Sequence, residues 1–97
     1  MMPSREYLAK QLAPYPLPTK DGGVLRTIGD VRAYMLALPK NRQLRAHWQH
    51  ASRLFLEEAN VAAVTRQVHL ALSMDGKLDL GELGRMSDAR RWRRNTP

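Results

Sequence analysis

The 97 residues predict a mainly α fold: a small three- to four-helix bundle with an extended, proline-rich N-terminal arm and a basic C-terminal tail. Three observations carry this. Apolar residues recur at helical spacing over 28–38, 42–59 and 61–73. Prolines fall between these stretches, not inside them. Hydrophobic residues make up 43% and cysteine is absent, so one core forms without disulfides. The length suits a single domain, 1–84, followed by a tail over 85–97.

Taken in order, Ser4 caps a short helix over Arg5 to Leu12, and Pro14 stops it. Pro14-Tyr15-Pro16-Leu17-Pro18 alternates proline with other residues, a pattern of extended chain. An arm is therefore expected over 14–26. Asp21-Gly22-Gly23 is a turn, because glycine reaches positive φ without strain. A very short hairpin of Leu17 to Lys20 with Val24 to Arg26 fits around it. Thr27 and Asp30 have the spacing of a capping box. Behind them Ile28, Val31, Tyr34, Met35 and Leu38 form a helical stripe that Pro39 ends.

Asn41 suits the N-cap of the next helix, about 42–59. Leu44, Trp48, Ala51, Leu54 and Phe55 line its apolar face, and Arg42, Arg45, Gln49 and Arg53 its opposite face. Asn60, which tolerates a left-handed conformation, ends it, and a helix follows with Val61, Val64, Val68 and Leu72 on one side; one long helix across Asn60 is the alternative. Val68 to Leu80 also alternates in the manner of a β-hairpin around Asp75-Gly76. Helix to about Ser73 is preferred, because Ala62, Ala63 and Ala71 favour it and a lone hairpin is marginal. A last short helix would carry Leu80, Leu83 and Met86. The expected core is Met35, Leu38, Leu44, Trp48, Phe55, Val64, Val68 and Leu72.

Charge is unevenly placed. The net formal charge is +7, and the last thirteen residues carry more than half of it. Arg85, Arg90, Arg91, Trp92, Arg93 and Arg94 combine guanidinium forks, which pair with phosphate or carboxylate, with an indole that can stack. A second basic stretch holds Lys40, Arg42, Arg45 and Arg53 and no acid. These arginines and Trp92 are the candidate contacts for nucleic acid or an acidic protein partner. A solvated tail is the plainer reading. His47 and His50 sit three apart, but a metal site needs a third and usually a fourth ligand, and none stands at fitting spacing. No metal and no cofactor is expected.

The run from Ala71 to Glu82 resembles the calcium loop of an EF-hand. Ser73, Asp75, Gly76, Leu78, Asp79 and Glu82 fall on its third, fifth, sixth, eighth, ninth and twelfth positions. Ala71 stands where the family has its first aspartate, and no second loop is present. The resemblance implies a helix–turn–helix connection of similar local geometry. The wider pattern Asp21-Gly22-Gly23, Leu25-Arg26-Thr27, Tyr34-Met35, Leu38-Pro39 and His47-Trp48-Gln49-His50-Ala51 resembles that of small bacterial proteins. That likeness implies a cytoplasmic helical domain with no assigned activity.

Catalytic chemistry is not expected. There is no phosphate-binding glycine loop and no nucleophile elbow, and no serine has a base at fixed spacing. No apolar run reaches the length of a membrane span. The expectation is a cytoplasmic, non-enzymatic interaction or regulatory module, with nucleic-acid binding through 85–94 and Arg42, Arg45 and Arg53 as the alternative. The apolar stripes would serve a homodimer as well as a monomer.

Overall fold

A computed structural model of the chain describes residues 3–21 and 23–85. Its elements run α1 (Arg5–Leu8), β1 (Leu17–Thr19), β2 (Gly23–Leu25), α2 (Ile28–Leu36), α3 (Lys40–Gln43), α4 (Ala46–Leu56) and α5 (Val61–Met74). Helix resumes over 80–85. The architecture is mainly helical, as expected, with one small antiparallel sheet.

Local signals in the sequence set several boundaries. Ser4 Oγ accepts the Tyr7 N–H at 3.2 Å and caps α1. Thr27 and Asp30 form the reciprocal capping box of α2. Asn60 Oδ1 accepts the Ala62 N–H at 2.8 Å, so α5 begins there and does not continue α4. At its far end the Lys77 N–H reaches the Leu72 carbonyl and the Gly76 N–H reaches Ser73. Gly76 lies at φ +68° between them, the left-handed position of a Schellman ending. α4 ends the same way with Glu58 at φ 51°. Glu58 also accepts the Ser4 N–H at 3.1 Å, just ahead of α1.

Three expectations are corrected. First, α1 stops at Leu8, short of the expected Leu12; the segment after it carries the expected short hairpin, as Leu17–Thr19 with Gly23–Leu25. Leu12 donates its N–H to the Arg26 carbonyl at 2.8 Å, and Leu17 pairs with Leu25 and Thr19 with Gly23. Leu17 and Pro18 are fully buried, so burial of these side chains fixes the segment that proline spacing alone would leave as an arm. Residue 78 then joins the other edge of β1 through a bridge between Thr19 and Leu78. The alternation after α5 therefore marks a sheet partner, while helix persists to Met74.

Second, the helix expected over 42–59 is two. Arg45 is extended (φ −64°, ψ 143°) and breaks it between α3 and α4. Side-chain amides take up backbone groups at the break: Gln49 Nε2 donates to the Gln43 carbonyl at 2.7 Å, and Gln43 Nε2 to Leu38 at 2.8 Å. Third, Leu44 leaves the core as a result and is 64% exposed. Met35 is half-buried against the core, and the other six expected core residues are buried.

α4 and α5 form an antiparallel helical pair at the centre, with Trp48, Ala51 and Phe55 facing Val64, Val68, Ala71 and Leu72 in one apolar cluster. Tyr7 closes the N-terminal side. Its ring meets Phe55 edge-on, and its hydroxyl donates to the Ala59 carbonyl at 2.7 Å. No helix among the described residues is long and apolar enough to cross a membrane.

Candidate functional site

Asp75 is the C-cap of α5, and its carboxylate points inward against the α3–α4 corner. Only 1% of its side chain is exposed. Four side chains surround it. Arg42 Nε donates to Oδ2 at 2.9 Å and Trp48 Nε1 donates to the same oxygen at 2.7 Å. Arg45 donates to Oδ1 at 2.6 Å, and His47 Nε2 lies 2.9 Å from that oxygen. An ionised carboxylate only accepts, so the His47 proton sits on Nε2.

The break at Arg45 makes this arrangement. Trp48 and His47 come from the first turn of α4, Arg45 from its extended N-cap, and Arg42 from α3. A continuous helix would spread residues 42, 45, 47 and 48 around its circumference, since 42 and 47 differ by about 140° at 100° per residue. Burial pushes the Asp75 carboxyl upward. The hydrogen bonds from Trp48, Arg42, Arg45 and His47 together outweigh burial and hold it well below the usual carboxylate range.

Arg42 also faces outward into a cleft of about 460 Å³ between β2, α2 and α3. There the Tyr34 hydroxyl donates to Asp21 at 3.0 Å and receives an N–H from Arg42 at 3.3 Å. Asp21 lies 3.8 Å from the same guanidinium. Arg42 thus links two aspartates and is spent on them.

The sequence-derived candidates separate. Arg42 and Arg45 come together on Asp75. Arg53 is exposed on α4 and away from that group. Arg85 pairs with Glu82 at 2.7 Å on an exposed surface. Arg90, Arg91, Trp92, Arg93 and Arg94 lie outside the described residues. His47 and His50 point apart, since His47 holds Asp75 while His50 lines the outer side of α4 and α5. Of the residues aligned with a calcium loop, Ala71 and Ser73 belong to α5, and Asp75 is enclosed. Asp79 Oδ1 accepts the Glu82 N–H at 3.1 Å, and Glu82 takes Arg85. Among the described residues, no three His, Asp or Glu gather as a metal-holding group.

A second feature was not singled out from the sequence. A shallow concavity of about 870 Å³ runs over the outer face of α5, with α4 on one side and Pro14–Tyr15 on the other. Ala62, Ala63, Leu54 and Leu70 give its apolar surface, and Arg66, His50 and His69 its charge-bearing or polar edge. Leu70 is 49% exposed, and Met74, one turn further along α5, is 62% exposed. The side chains of Arg53, Arg66 and His50 have no hydrogen bond or ion pair among the described residues. The available signal was the helical wheel of α5, on which Arg66, Leu70 and Met74 recur every fourth residue, away from Val64 and Val68.

Compared with protein-family models, curated proteins and solved structures, the chain matches none.

Proposed function

We propose that the chain is a small non-enzymatic interaction module that presents the outer face of α5 to a protein partner. One observation carries the reading: an open concavity in which half-exposed Leu70 stands one turn from Arg66, whose guanidinium has no hydrogen bond or ion pair among the described residues. Exposed apolar surface beside unpaired cations is the composition of a contact surface, not of a core edge. By contrast, the cationic groups at the α3–α4 corner already have their acid.

The alternative reading, nucleic-acid binding, draws on Arg53 and on residues 85–94. It has lost two supporting cations, because Arg42 and Arg45 are committed to Asp75. The two readings separate in one titration. Labelled DNA and RNA are added to the full chain and to a chain lacking 86–97. A nucleic-acid protein neutralising roughly four to five phosphates shows log affinity falling with log salt at about −4, and the truncation flattens the slope. The interaction reading expects no such binding. It expects instead that proteins retained from native cells by the full chain are lost with Leu70→Glu and kept with Leu44→Glu, an exposed leucine away from that face. Retention unaffected by Leu70→Glu refutes it.

A further inference from the structure

We infer that the partner seated on the outer face of α5 is an acidic amphipathic helix of another protein. This rests on the interaction reading above and specifies its chemistry.

Charge gives the sign. The concavity is lined by Arg66, His50 and His69 and by no carboxylate. On α4, Arg53 stands one turn beyond His50, and Glu57 follows a turn later at the α4 end. Arg66 and Arg53 keep their guanidinium groups unspent among the described residues. His69 is the exception at the edge, since its Nδ1 lies 3.1 Å from the Tyr15 hydroxyl. Carboxylates on the incoming segment would find donors at the rim, and ammonium groups would meet like charge.

Backbone chemistry gives the shape. The two helical walls use their own amides internally, and on the third side Tyr15 stands between Pro14 and Pro16, so its single N–H is no ladder for a strand. Strand addition needs a free edge, and this surface has none. A helix brings its backbone already satisfied, and only its side chains need to match. α5 is 14 residues long, or about 21 Å at 1.5 Å per residue, which fits a partner of roughly four turns. Ala62 and Ala63 allow close approach at one end. Leu54 and Leu70 supply the apolar contact for the apolar stripe of the guest.

The test is a displayed library of random 16-residue peptides panned on the full chain, with the full chain carrying Arg66→Glu and Leu70→Glu as the counter-selection. The expected winners are net acidic, with leucine-like residues at helical spacing, and become helical on binding by circular dichroism. Their affinity falls about tenfold or more with Arg66→Glu alone. Their amide NMR perturbations map to α4 and α5. Winners that are net basic, or that bind as extended chain, overturn this inference and leave the interaction reading standing. Failure to select any peptide against the groove variant overturns both. Urea melts of both variants matching the parent exclude misfolding as the cause.

Discussion

The α3–α4 corner and the outer face of α5 both carry arginine, yet they differ in what the guanidinium groups do. At the corner, one buried carboxylate takes hydrogen bonds from Arg42, Arg45, His47 and Trp48. On the α5 face, Arg66 and its neighbours on α4 carry charge with nothing to hold it among the described residues. The first group is a structural joint that ties the C-terminus of α5 to the break between α3 and α4. The second is free to meet something else. A count of positive residues does not distinguish the two. The location of the nearest acid does.

The largest test of this contrast is Asp75→Ala. It strands one mostly buried guanidinium, a buried indole N–H and a histidine, so stability should drop by about 3–5 kcal/mol in urea unfolding. Asp75→Asn keeps the shape and an acceptor and should cost less. A loss below about 1 kcal/mol for Asp75→Ala would mean that the joint holds nothing. Trp48→Phe comes next. It keeps most of the buried ring but removes one donor to Asp75, and should cost about 1–3 kcal/mol.

Acid sharpens the comparison through a different variable. The folded-state pKa of Asp75 lies below its unfolded value, which is about 3.9. Its contribution is therefore complete above about pH 5 and drains away as pH falls below about 4. Urea midpoints from pH 5 to pH 2.5 should fall more steeply for the parent than for Asp75→Asn. Parallel curves would assign acid sensitivity to other carboxylates. Tyr7→Phe, which removes only the hydroxyl bonded to Ala59, should cost about 1 kcal/mol. The smallest effect belongs to Arg53→Ala and Arg66→Ala, each within about 0.5 kcal/mol of the parent. A larger loss at Arg66 would show that the α5 face is itself part of the joint.

Much of the scaffold was legible because its signals are local. Ser4 and Thr27 with Asp30 act on backbone groups within a few residues and cap as their positions suggest, whereas Asn60 marks the boundary as the N-cap of α5 and leaves the left-handed ending of α4 to Glu58. Trp48, Phe55, Val64, Val68 and Leu72 are buried as their spacing implies. The hairpin of the proline-alternating segment with residues 23–25 was legible from its turn, but the bridge from Thr19 to Leu78 was not, because it joins residues far apart in the chain. Leu44 misled for a related reason: the helix break that exposes it serves contacts with Asp75, about 30 positions away in the chain. One signal did point there. The stretch from 40 to 53 holds donors and no acid, so its partner had to come from elsewhere, and Asp75 ends a helix otherwise free of carboxylates. The open face of α5 was obscured by the same stripe logic that found its core, because attention to Val64 and Val68 leaves the other side unread.

The arginine Nε protons report the central claim most directly. In a nitrogen-edited NMR spectrum at neutral pH, the Arg42 Nε–H should exchange slowly and shift strongly, and Asp75→Asn should collapse that protection. The Arg66 Nε–H should exchange at the rate of a solvated side chain in both proteins. Equal, rapid exchange at Arg42 and Arg66 in the parent would contradict the division of the molecule into a spent and an available set of charges.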